Sequence, residues 1–90
     1  MEFEYDPLKS DRNRDKHGID FEEAKALWED EDRLVFPARS ETEERFAMLA
    51  EMGAKTWVAF YTVRKDRVRI ISVRRARPNE KKEYDSRRTR

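Results

Sequence analysis

The chain has no cysteine, so neither a disulfide nor a thiolate-held metal can brace it, which fits a reducing compartment. It has only two glycines and three prolines, and no repeat, Gly-rich phosphate loop or low-complexity tract. A single histidine, His17, is the one side chain whose unperturbed pKa suits proton transfer near neutrality. No long apolar run occurs, and the first residues, MEFEYDPLKS, are acidic; a signal peptide and a membrane span are therefore not expected, and a cytoplasmic protein is. Ninety residues with 37% apolar and 46% charged side chains imply one domain, 1–90, with a thin core that gains from a partner.

What the chain has is charge, unevenly placed. Residues 64–90 carry twelve Lys and Arg against four Asp and Glu, a balance of +8, whereas residues 1–63 carry nine against sixteen, a balance of −7. A basic end of this kind attracts polyanions, and a nucleic acid is the leading ligand class. The bland alternative is a charged, solvated surface.

Local signals order the elements. Phe3 and Tyr5 alternate with Glu2 and Glu4 as in a short strand. Asp6 before Pro7 starts a helix that runs to about His17 and stops at Gly18. Asp20 with Glu23 forms a capping box, and Phe21, Ala24, Leu27 and Trp28 follow at helical spacing as an apolar stripe. The acidic run Glu29–Asp32 reads as a solvated loop. Leu34–Phe36 is a short strand closed by Pro37. Residues 43–52 are rich in helix formers after a possible Ser40–Glu43 capping box, yet Phe46, Met48 and Ala50 can equally line one face of a strand. Residues 57–63 and 67–75 pair as a hairpin across the tight turn Lys65-Asp66, and Pro78 opens a polar terminal helix to about Arg87. Residues 87–90 are expected to fray.

The chemistry concentrates at the end of that hairpin. Arg74 is the expected phosphate contact, since a guanidinium grips a phosphate through two bonds. It shares strand parity with Val68, Ile70 and Ser72; Arg69 has the other parity, so the two face one groove only if the strand twists or bulges. Arg75 and Lys16 are further expected phosphate contacts, the alternative for Lys16 being simply an exposed lysine. Glu80 and Tyr84, spaced i, i+4, share a helix face that can bring a carboxylate and a phenol to Arg74; alternatively Glu80 orients Arg74 by a salt bridge. His17, in the last turn of the helix, is either a proton-transfer group or a C-terminal cap donor. Trp57, Tyr61 and Tyr84 are each either a stacking surface for a base or core.

The order of elements and the stretches FEYDP (3–7), KHGIDFEEA (16–24), Phe36-Pro37, Glu44-Arg45-Phe46 and RIISVRRA (69–76), with Glu80 and Tyr84, resemble the BrnT family of type II toxins. The resemblance spans nearly the whole chain; Tyr5 and residues 50–52 depart from the family's usual residues. It implies an α+β, RelE-like fold: N-terminal helices packed on a mostly antiparallel sheet, with a C-terminal helix and with 43–52 as a strand. It also implies a ribonuclease that slows translation, needs no metal or organic cofactor, and is neutralised by a BrnA-like ribbon-helix-helix antitoxin. Operator DNA would be reached only through that antitoxin. His17, Arg74, Glu80 and Tyr84 are then the expected catalytic groups, with Lys16, Arg69 and Arg75 on the RNA. The competing reading is a non-catalytic RNA- or protein-binding module; a DNA-binding factor ranks third, because no helix reads as a recognition helix.

Overall fold

The computed structural model describes residues 1–88. Its elements are β1 (Glu2–Glu4), α1 (Pro7–His17), α2 (Phe21–Ala24) continued by a 3₁₀ turn (Lys25–Glu29), β2 (Leu34–Ala38), β3 (Arg45–Met52), β4 (Lys55–Arg64), β5 (Arg67–Arg75) and α3 (Pro78–Arg87). The five strands form one sheet in the order β1-β5-β4-β3-β2, antiparallel throughout except for the β1–β5 pair. The mixed α+β architecture with a terminal helix is as expected. No helix among the described residues is long and apolar enough to cross a membrane.

Helix α1 is set by its ends. Asp6 accepts the Leu8 N–H at 2.9 Å, Pro7 occupies the first turn, and Gly18 takes φ +79° to return its N–H to Arg14. Between the ends it buries Ser10 and Asn13 rather than a greasy stripe. The Ser10 hydroxyl accepts the Phe21 N–H, and the Asn13 amide donates to the carbonyls of Ile19 (2.8 Å) and Val73 (2.9 Å) while accepting the Val73 N–H (3.1 Å). β1 pairs with β5 only as far as Arg69, so Asn13 occupies the strand edge that β1 leaves open.

The second helix is shorter than its apolar spacing suggests. The Asp20–Glu23 box closes as expected, but after Ala24 the chain tightens into the 3₁₀ turn. Phe21, Ala24 and Leu27 are buried at intervals of three, the period of a 3₁₀ helix, whereas Trp28 is only half-buried. Residues 45–52 form a strand, overriding their helix propensity, because hydrogen-bonded neighbours on both sides let Phe46, Met48 and Ala50 reach the core. The Ser40–Glu43 contact survives as a 3.4 Å hydrogen bond in the preceding turn.

One face of the sheet is covered by α2 and the 3₁₀ turn over Met48, Ala50, Trp57, Ala59, Tyr61, Val68, Ile70 and Val73. The other face is crossed only at one end, where Tyr84 of α3 packs on Leu49 and Val58. We refer to these as the covered and the open face. The two hairpin turns, Gly53-Ala54 and Lys65-Asp66, have positive φ at both residues, the geometry that matches strand twist.

Candidate functional site

The β4–β5 register slips between Phe60 and Tyr61: Phe60 faces Ser72 while Tyr61 faces Ile70, which leaves Ile71 as an extra residue in β5. Parity therefore reverses along the strand. Val68, Ile70 and Val73 all enter the covered core, and Arg69 (opposite Thr62), Ser72 and Arg74 (opposite Val58) turn to the open face. The simple alternation that grouped Arg74 with Val68 and Ile70 is thus corrected by the bulge, and Arg69 and Arg74 share a surface. Arg75 points the other way, over the Trp57 ring at 5.4 Å.

At the carboxyl end of β5, Arg74 binds Glu80 end-on, Nη1 to Oε1 at 2.8 Å and Nη2 to Oε2 at 2.9 Å. Glu80 sits here because it is also the third residue of α3, where Oε1 accepts the Arg77 N–H at 2.7 Å. The Arg74 guanidinium lies over the Phe60 ring at 5.5 Å, so it is held from below as well as from the side. Nη1 also donates to the Arg75 carbonyl at 3.2 Å. Of the five donors of a guanidinium, three are engaged; Nε–H and the second Nη2 hydrogen, its side-on fork, have no partner among the described residues. That fork is the geometry that takes two oxygens of a phosphate. The hydrogen bonds from Arg74 hold the Glu80 carboxyl below the usual carboxylate range against the opposing effect of burial, and the Arg77 N–H adds to them. Glu80 raises the Arg74 pKa in turn. Glu80 thus accepts both bonds from Arg74 and holds its guanidinium in place, the salt bridge expected of it.

The other candidates fall around this pair. Arg69 is tied to Glu4 at 2.9 Å on the open face. Glu4 lies beside Arg69 and Asn13 against Val73, so α1 travels along β5 in the strand's own direction. His17 is one turn beyond Asn13 in the same helix row, half-buried, and carries that row toward the carboxyl end of β5. Its ring makes no hydrogen bond among the described residues, so the capping role is not observed; the Gly18 N–H closes the helix instead. Tyr84 is not among the hydrogen-bond partners of Arg74. Its ring is 0% exposed and its hydroxyl donates to Asp30 at 2.5 Å, while burial pushes its pKa well above the ordinary phenol value.

Two groups of residues were not singled out in the sequence. Asp30, inside the acidic run, accepts from the Tyr84 hydroxyl and from the Glu51 and Asp32 amides, and so ties α3 to the sheet. Its function could not be read from four consecutive acids. The second group is a basic stripe on α1. Arg14 pairs with Asp20 at the head of α2, which marks the flank of α1 nearest the covered face. Lys9, Arg12 and Lys16 lie on the opposite side of the buried Ser10–Asn13 row and so flank the open face. All three are exposed, and none has an acidic partner among the described residues. Lys16 was expected to be a phosphate contact; its i−4 and i−7 neighbours extend it into a row.

Between α3 and the open face lies a hollow of about 350 Å³, lined by Phe36, Ala47, Leu49, Val58 and Phe60 from the sheet and by Asn79, Glu80 and Glu83 from α3. Phe60 is thus shared by the hollow and by the Arg74 cation contact.

No curated protein matches the chain. Residues 5–80 match the family described as the ribonuclease toxin, BrnT, of type II toxin-antitoxin systems. The matched stretch runs from Tyr5 through α1, the bulged β5 and the Arg74–Glu80 pair, and it stops short of Tyr84. By that match over most of its length, the chain belongs to the BrnT family of ribonuclease toxins.

Proposed function

We propose that this protein is an endoribonuclease toxin that cleaves RNA by internal transesterification and thereby slows translation. Its antitoxin is a BrnA-like ribbon-helix-helix protein, and operator DNA is reached through that partner alone. The toxin acts in the cytoplasm on a RelE-like scaffold. The observation that carries the reading is the free side-on fork of Arg74, held rigid by Glu80 and Phe60 in a chain of ribonuclease family.

The 2′-oxygen attacks the adjacent phosphorus, its proton goes to a base, the P–O5′ bond breaks, and the departing 5′-oxygen is protonated. Charge accumulates on the non-bridging oxygens, where a fixed guanidinium stabilises it without reorganising. Arg74 takes that role. Glu80 positions Arg74 and, being ionised and engaged, does not itself move a proton. His17 is the proton-transfer group of this reading, brought along the β5 edge by α1. Lys16 and Arg69 hold neighbouring phosphates; Arg75, turned to the other face over Trp57, is left out of this path. No metal or organic cofactor is required by the scheme. Tyr84 is left to the core.

Induced expression of the native chain beside Arg74→Ala tests this. Growth arrest with RNA fragmentation from the native chain, both lost in a folded Arg74→Ala variant, is the expected result. Intact RNA and normal growth from a folded native chain would replace the enzyme with a binding module.

A further inference from the structure

The hollow beneath α3 has an apolar floor that no element of the described chain covers, and its rim is polar. We propose that it binds one unpaired nucleobase of the RNA, seated beside the phosphate that Arg74 holds. This rests on the ribonuclease reading above and adds to it a base-specificity site.

Four observations point to a base. The volume of about 350 Å³ is at the small end of ligand sites, which run from ~300 to 1,000 Å³, and suits a flat heterocycle. Phe36 and Phe60 supply aromatic surface, the partner that unpaired bases stack on. Phe60 carries the Arg74 guanidinium at 5.5 Å, so the phosphate fork and the hollow share a wall, as a base and its own phosphate require. The rim also presents hydrogen-bonding groups. One Glu83 oxygen forms an ion pair with Arg87 at 2.7 Å, and neither the other oxygen nor the Asn79 amide has a partner among the described residues.

The rim sets a preference. A carboxylate accepts from an exocyclic amino group, as on cytosine or adenine. Uracil has no exocyclic amino group, only an N3–H between two carbonyl oxygens that the Glu83 carboxylate repels, and is the disfavoured base. Cytosine and uracil are matched in size, so the pair isolates the effect of Glu83.

The test uses fluorescently labelled 2′-O-methyl oligonucleotides, which lack the attacking hydroxyl, on the full chain by anisotropy. Oligo(A), oligo(C), oligo(U) and an abasic backbone of equal length carry equal charge. We expect the abasic strand to bind about 10-fold or more weakly than oligo(C), in line with the energy of aromatic–base stacking, and oligo(C) to bind tighter than oligo(U). Phe36→Leu, which keeps the apolar floor but removes a ring, collapses the difference from the abasic strand, and Glu83→Gln narrows the C-over-U preference. Abasic and base-bearing strands binding alike, while the native chain still cleaves RNA, would overturn the base site and leave the ribonuclease reading standing. Discrimination unchanged in Phe36→Leu would also overturn it and assign the hollow to a protein side chain. No binding and no cleavage by the folded native chain would remove the underlying reading itself.

Discussion

Arg69 and Arg74 are five residues apart in one strand, an odd spacing that ordinarily sends two side chains to opposite faces, yet both reach the open face because Ile71 is bulged out of the ladder between them. The same bulge returns Val73 to the covered core beside Ile70. One extra residue thus lets β5 bury three apolar side chains on one face and still aim its terminal arginine at α3.

The geometry of Arg74 predicts that its charge alone is not sufficient. Lysine at this position keeps the positive charge but cannot hold Glu80 through two bonds and offer a second fork at once. Arg74→Lys should lower kcat by roughly 10²-fold, the loss typical of removing one fixed transition-state donor, with the melting temperature little changed. A single-turnover cleavage assay on the folded variant decides this, and near-native kcat would show that a point charge suffices.

Tyr84 and Asp30 separate stability from catalysis. Tyr84→Phe keeps the buried ring and removes the 2.5 Å hydrogen bond that helps satisfy the Asp30 carboxylate. The expected result is a loss of about 1–3 kcal/mol in unfolding free energy, the usual cost of a buried polar group losing a partner, with cleavage per folded molecule unchanged. Denaturant melts and activity normalised to folded protein read the two effects separately. A large fall in kcat without destabilisation would return Tyr84 to the chemistry.

The pH dependence follows from the same contact. Burial pushes the Asp30 carboxyl up, but hydrogen bonds from Tyr84 and from the Glu51 and Asp32 amides outweigh it and hold its pKa down. Glu80 is held down chiefly by Arg74, and Asp20 chiefly by the Glu23 N–H. A depressed carboxyl stabilises the fold above its unfolded value of about 4, and that contribution disappears as pH falls through the folded value. Tyr84 has the opposite sign: its raised pKa means that stability present below about pH 10 is lost as pH rises further and the unfolded phenol ionises first. Asp30→Asn should therefore be less stable than the native chain at pH 7 and converge with it in acid. Parallel curves of stability against pH for the two proteins would contradict the assignment.

Much of this was legible beforehand where a local rule acts alone. Asp6-Pro7 and Gly18 bracket α1, Asp20 and Glu23 close their box, and Lys65-Asp66 turns the hairpin, each through contacts within a few residues. Glu80 was paired with Arg74 from the strand-to-helix order, and that pair is present. Residues 45–52 were ambiguous because helix formers there are overruled by two flanking strands, which no local rule contains. The bulge at Ile71 leaves no mark in Ile70-Ile71-Ser72, since its cause is the competing demand to bury Val73 and expose Arg74. Asp30 was hidden among like charges, because what distinguishes it is a phenol 54 residues away.

Asn13 predicts a different kind of failure. Its side chain supplies the hydrogen bonds that a neighbouring strand would give Val73, and it braces Ile19 as well. Asn13→Ala leaves that N–H and carbonyl without their partner and should destabilise by about 2–6 kcal/mol, two unsatisfied buried groups at ~1–3 kcal/mol each. The bared edge should also promote association. Asn13→Asp, which keeps the acceptor but turns an anionic oxygen toward the Ile19 and Val73 carbonyls, should be at least as destabilising at pH 7. Chemical denaturation with light scattering tests both variants, and native-like stability in Asn13→Ala would mean that α1 is held by other contacts.

The α1 stripe predicts a salt signature. Lys9, Arg12 and Lys16 are exposed, unpaired among the described residues, and spread over about 10 Å of helix at ~1.5 Å per residue. Cations so placed along the open-face flank suit a single strand that continues past Arg74 around the edge of β5. Each phosphate neutralised on a single strand contributes about −0.7 to the slope of log affinity against log salt, so replacing all three by alanine should reduce that slope by about 2. None of the three anchors the helix, since Ser10, Asn13 and the two caps do that, so thermal stability should stay close to native. Anisotropy titrations across a salt series measure the slope directly. An unchanged slope with weaker binding would mean that the stripe acts through the fold, and no change in either would confine the RNA to the sheet and α3.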